Sequence, residues 1–166
     1  MVEGADGQLH QPLKEAAGKP VAMIFFSHDC PVCNIYAPEI SRIEAKYGKK
    51  INVDIVYTDA RITRAEAIAH AKAFGLNQAT LLFDKSGSFA AFCNAHVTPQ
   101  AAVFDSRGRR VYCGRIDDRF LSLGQQRPAP TTHDLASALD ATLANKPAKP
   151  ATGAPVGCII SWPKNS

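Results

Sequence analysis

A chain of 166 residues with 46% hydrophobic and 20% charged residues can bury one sizeable core and argues for a single domain with extensions. The net charge of +4 comes without a run of Lys and Arg interleaved with aromatics, which argues against a nucleic-acid groove. No stretch approaches the roughly 18 consecutive apolar residues of a membrane span, and the opening MVEGADGQLHQ has neither a basic n-region nor an apolar h-region.

Residues 1–18 read as a polar N-terminal extension. Val21 to Phe26 is a continuous apolar run after Gly18 and Pro20, the pattern of a buried strand, and it delivers the chain to Cys30. From Pro31 to Tyr47 the apolar positions Val32, Ile35, Tyr36, Ile40, Ile43 and Tyr47 recur at mostly helical intervals, with Pro38 expected to kink the helix. Ile51 to Tyr57 alternates and is β-branched, so it reads as a strand. Thr63 to Phe74 is Ala-rich, with Thr63 and Glu66 spaced as a capping box and Gly75 as the stop.

Thr80 to Phe83 reads as a short strand, Ser86-Gly87-Ser88 as a turn, and Phe89 to Ala95 as a brief helix before Thr98-Pro99. Ala101 to Phe104 and Arg110 to Cys113 form a hairpin pattern about Asp105-Ser-Arg-Gly-Arg109. A polar loop from Asp117 to Pro130 precedes a last amphipathic helix, capped by Thr132 and running to about Leu143. Residues 146–166 read as an extended tail carrying Cys158, with PAKPATGAP as a linker. The alternation implies an α/β domain over residues 19–145, a mixed central sheet flanked by helices.

Five cysteines are too few for a disulfide scaffold at this length, and their odd number leaves at least one unpaired within a monomer. Cys30-Pro-Val-Cys33 follows a buried strand and opens a helix. There, unpaired backbone N–H groups and the helix dipole favour a thiolate at Cys30. A two-residue spacer on a helical turn lets Cys33 reach a mixed disulfide formed at Cys30. Cys30 is therefore the expected attacker and Cys33 the resolver, a redox-active disulfide needing no organic cofactor.

The segments FFSHDCPVCNIYAPEI and HVTPQAAVFDSRGRRVYCGRIDD resemble the thioredoxin-like superfamily, in particular its TlpA/AhpC-TSA redoxin branch. The resemblance covers about residues 19–145 and implies a thioredoxin-like three-layer sandwich. It also implies a cis Pro99 facing the cysteine pair and a backbone contact between Thr98 and bound substrate. Where such reductases commonly carry an acidic residue three positions after the second cysteine, this chain has Tyr36. The APEI, GRIDD and RPAPTTHDL segments are similar to bacterial redoxin-domain proteins ending in a VGC-type tail. Many of those have Ser for the second cysteine, and an exported, periplasmic setting is what the resemblance implies.

Such relatives would need a second partner for Cys30. The roughly eleven residues from Pro147 to Gly157 can span about 34 Å, against a domain radius near 15 Å. Cys158 is thus either a second resolving thiol folded back toward Cys30 or a free cysteine on a loose tail. Cys93 and Cys113 fit small buried hydrophobes better than a second redox pair. His28 can tune Cys30 or, with His96, Cys30 and Cys33, bind a soft metal; otherwise both histidines are surface residues. Ser27 stands three residues before Cys30, where peroxiredoxins place a hydroxyl, although Met23 replaces their proline. Arg115, Asp117 and Asp118 read as solvated or loop-anchoring charges, and Tyr112 and Trp162 as uninformative.

Three functions follow in order of preference. The first is a thiol–disulfide oxidoreductase acting on protein thiols and disulfides, with an electron-donor or electron-acceptor redox protein as partner. The second is a peroxiredoxin-like thiol peroxidase with Cys30 peroxidatic and Cys33 or Cys158 resolving. The third is a copper-binding or metallochaperone module using Cys30, Cys33 and a histidine, which the two-residue spacing disfavours.

Overall fold

The computed structural model describes residues 1–161; Trp162 and the rest of the expected tail to residue 166 lie outside the described residues. In chain order the elements are β1 (Val2–Gly4), β2 (Leu9–His10), α1 (Pro12–Glu15), β3 (Val21–Phe26), α2 (Pro31–Tyr47), β4 (Asn52–Tyr57), α3 (Arg64–Ala73) and β5 (Thr80–Phe83). They continue with α4 (Ser88–Cys93), β6 (Val97–Thr98), β7 (Gln100–Phe104), β8 (Arg110–Gly114), β9 (Phe120–Ser122), β10 (Gln125–Gln126), α5 (Asp134–Leu143) and β11 (Cys158–Ile159). A seven-stranded sheet in the order β2-β1-β5-β4-β3-β7-β8 organises them.

Strands β3, β4 and β5 are mutually parallel and step in one direction across the sheet. Right-handed crossovers therefore carry α2 and α3 over the same face. The chain then returns past β3 to β7, which runs antiparallel to it, and α4 lies on the opposite face. The core records this division. Ala22, Ile24 and Phe26 of β3 pack with α2, α3 and α5, whereas Val21, Met23 and Phe25 pack with residues of α4 and the α1 segment. All six residues of β3 are buried, as expected for a strand covered on both faces, which is why it reads as an unbroken apolar run.

The expected capping box is present: Thr63 Oγ1 accepts from the Glu66 N–H at 3.2 Å, and Glu66 accepts from the Thr63 N–H at 2.8 Å. Helix α2 continues through Pro38 to Tyr47 as one element. Three readings need correction. The polar opening supplies two strands, with β1 joining the edge of β5. The 117–130 loop contains the β9–β10 hairpin. Thr132 does not cap α5, which starts after His133 without a side-chain cap. Instead the Thr132 N–H donates to Asp118 at 3.0 Å and its hydroxyl to Asp134 at 3.1 Å.

Candidate active site

The end of β3 and the start of α2 place the cysteine pair. Cys30 is the N-cap residue in an extended conformation, followed by Pro31 in the first turn, where a missing N–H costs nothing. Cys33 sits on the first helical turn, fully buried. From the other side of the sheet centre comes the Thr98–Pro99 bond, which is cis. The Thr98 carbonyl accepts from the Cys30 thiol at 3.5 Å, so the two distant segments that carry the resemblance meet here. All five cysteines are thiols in this structure.

The two thiols are driven in opposite directions. Cys30 is lowered to about 5, chiefly by the Cys33 thiol. The Cys158 thiol and the backbone N–H groups of both residues add to this, against an opposing cost of burial. Cys33 is pushed well above the ordinary thiol value by burial and then by the neighbouring Cys30 sulfur. Such a pair holds one thiolate and one thiol near neutral pH, as nucleophile and resolver require.

Cys158 is the third sulfur of the site. Strand β11 runs antiparallel to β6, with Cys158 opposite Thr98 and Ile159 opposite Val97. The Cys158 thiol interacts with the Cys30 sulfur, and burial together with that neighbour raises it to about 12. Beside these residues opens a cleft of about 530 Å³, bounded by Ser27, His28, Asp59, Ile62, Thr98 and Cys158.

A polar network borders the dithiol. Ser27 Oγ lies 2.5 Å from Asp59 Oδ1 and 2.7 Å from Asp29 Oδ1. It is thus committed to two carboxylates, and the peroxidase expectation, which wants this hydroxyl at the Cys30 sulfur, finds it turned elsewhere. The His28 N–H donates to Asp59 Oδ2 at 3.1 Å, and its ring Nδ1 stands 3.2 Å from Asp59 Oδ1. Asn34 Nδ2 donates to the His28 carbonyl at 3.3 Å. Its Oδ1 lies 2.9 Å from His70 Nε2, and His70 Nδ1 lies 2.8 Å from the Tyr57 hydroxyl. Burial lowers His70 below the usual imidazole range. A neutral ring with its proton on Nε2 then accepts from Tyr57 and donates to Asn34.

His70 and Asn34 were missed in the sequence. The available signal was the place of His70 beside Ala71 and three residues after Ala67, on the buried face of α3.

The expected soft-metal set does not assemble. Among the described residues, the cluster of ligand-type atoms within 4.8 Å of one another is His28, Asp29 and Asp59, without a cysteine. His96 instead points Nε2 at Asn94 Oδ1, 3.0 Å away. Cys93 is buried against Met23, their sulfurs 4.0 Å apart. Cys113 accepts from Gln100 Nε2 at 3.2 Å. Asp117 and Asp118 are anchors but not solvated. Tyr36 donates to Asp117 at 2.6 Å, and Asp118 accepts the Thr131 N–H at 2.6 Å, with both carboxylates buried.

No protein-family model and no curated protein matches the chain. Among solved structures, a hypothetical protein from Sinorhizobium meliloti 1021 is similar at 26% identity, covering 99% of this chain and 92% of its own, with a TM-score of 0.79. A thioredoxin-like protein from Aeropyrum pernix matches over 68% of this chain and 78% of its own, at 19% identity and a TM-score of 0.59. A secreted disulfide oxidoreductase of Mycobacterium tuberculosis matches over 66% and 78%, at 23% identity and a TM-score of 0.56. The fold is thioredoxin-like: a mixed central sheet flanked by helices.

Proposed function

We propose that the chain is a thiol–disulfide oxidoreductase that cycles between a Cys30–Cys33 dithiol and disulfide, with protein thiols and disulfides as partners. The opposed displacement of the two thiols on one helical turn, Cys30 down to about 5 and Cys33 upward, carries this reading. In the reducing direction the Cys30 thiolate attacks one sulfur of a substrate disulfide. The other sulfur leaves as a thiolate, and a Cys30–substrate disulfide forms. Cys33 then gives up its proton and attacks the Cys30 sulfur, closing the Cys30–Cys33 bond and releasing the second substrate thiolate, which takes up a proton. The oxidising direction is the reverse.

The secreted oxidoreductase among the structural neighbours and the redoxin resemblance support both the chemistry and an exported location. Finding the chain in the cytosol of its native host would overturn that location. The function is tested with the double variant Cys33→Ser/Cys158→Ser, which lacks both thiols beside Cys30: it is expected to accumulate a mixed disulfide at Cys30 with protein substrate and to lose turnover by about a hundredfold or more. Full turnover in that double variant, or in Cys30→Ser, would refute the dithiol cycle.

A further inference from the structure

The segment after α5 is fastened along its length. Arg115 Nη2 donates to Thr152 Oγ1 at 2.7 Å, and Ala148, Ala151 and Val156 pack on the main core. Beyond β11, the Ile160 N–H donates to the His96 carbonyl at 3.0 Å, and the Ile160 side chain is buried in the second core cluster. Gly157 is the tightest point: a Cβ there would stand 2.0 Å from the Thr98 carbonyl oxygen. This backbone-on-backbone approach admits glycine alone.

The place this strap occupies is informative. An extended peptide that brings a cysteine to Cys30 gains affinity by pairing with an exposed strand edge. The edge at hand is β6, because its Thr98 carbonyl is in contact with the Cys30 thiol. That edge is taken by β11, with Cys158 in register opposite Thr98. Cys30 is left 2% exposed, while Cys158 and Thr98, not Cys30, face the neighbouring cleft.

We propose that residues 156–160 are an internal substrate strand: they hold Cys158 where a substrate cysteine must stand, accept the disulfide from Cys30–Cys33, and have to be displaced by a protein partner. The inference rests on the dithiol cycle proposed above and adds its regulation. In the exchange, the Cys158 thiol loses its proton and attacks the Cys30 sulfur. The Cys30–Cys33 bond breaks as the Cys30–Cys158 bond forms, and Cys33 leaves as a thiolate that takes up the proton. No external oxidant or reductant is consumed, and the product is a covalently closed lid.

The test uses the full chain in wild-type, Cys33→Ser, Cys158→Ser and Gly157→Ala forms. Each is equilibrated with oxidised glutathione, trapped by alkylation and mapped by mass spectrometry. Cys33→Ser is expected to close a Cys30–Cys158 bond. Gly157→Ala keeps every thiol but forces a methyl into the Thr98 carbonyl. It should raise the alkylation rate of reduced Cys30 by about tenfold or more, because the covered state no longer dominates. Combined with Cys33→Ser, it should suppress the Cys30–Cys158 bond.

If Cys33→Ser gives only a glutathione adduct at Cys30 with Cys158 free, and Gly157→Ala leaves Cys30 as shielded as before, the internal substrate is overturned while the dithiol cycle stands. If Cys158→Ser fails to form a Cys30–Cys33 disulfide, the dithiol cycle itself fails.

Discussion

Cys30 and Cys33 share one helical turn, yet the N-cap position gives one the Cys33 thiol and N–H as partners and sinks the other in the core. The folded state thus favours the Cys30 thiolate. The resulting stability is full above the ordinary thiol pKa and is lost as pH falls toward 5. Titration by ultraviolet thiolate absorbance should show one group with a midpoint near 5 that disappears in Cys30→Ser. In Cys33→Ala the midpoint should move upward, since the hydrogen bond from the Cys33 side chain, the largest influence on it, has gone. A wild-type midpoint near the unperturbed value of about 8.5 would contradict the assigned roles. The CPVC motif announced this pair, but the environment of Asp117 was not legible. A carboxylate in a polar loop looks solvated, and its burial depends on a Tyr36 hydroxyl far away in the chain.

Elements with their own periodicity were readable: β3 by its apolar run, α3 by its capping box. The short strands were not, because two or three residues cannot show an alternation. Val2–Gly4 is a strand because β2 and β5 pair with it on either side, and Cys158–Ile159 because β6 does. Within α2, one buried residue runs against its surroundings. Glu44 is 2% exposed, one carboxylate oxygen has no partner, and burial raises it to about 7. A raised carboxyl leaves stability intact below its unfolded pKa and erodes it as pH climbs through 7. Glu44→Gln should therefore stabilise the protein by roughly 1–2 kcal/mol at pH 8 and by little at pH 5. Equal melting temperatures for variant and wild type at pH 8 would show that this carboxyl ionises without cost.

At the scale of the molecule, Arg115 ties three segments. Its Nε donates to Asp134 at 2.7 Å, and its Nη2 reaches Thr132 at 3.3 Å and Thr152 at 2.7 Å. It joins the strand-to-helix turn, the start of α5 and the strap. Arg115→Ala leaves the buried Asp134 carboxylate without its cation, and a loss of roughly 1.5–3 kcal/mol is expected in chemical denaturation. Arg115→Lys should recover only part of it, because a single ammonium cannot replace the guanidinium fork. An unchanged denaturation midpoint in Arg115→Ala would remove this residue from the strap's support.

The strap is also the last described part of the chain to be made. Residues through β7 suffice to give β3 both of its strand neighbours, whereas Cys158 follows some fifty residues later, on the order of several seconds of synthesis. For that interval a nascent chain presents its dithiol uncovered. Newly made protein is therefore open to exchange with whatever disulfides surround it before its own tail arrives.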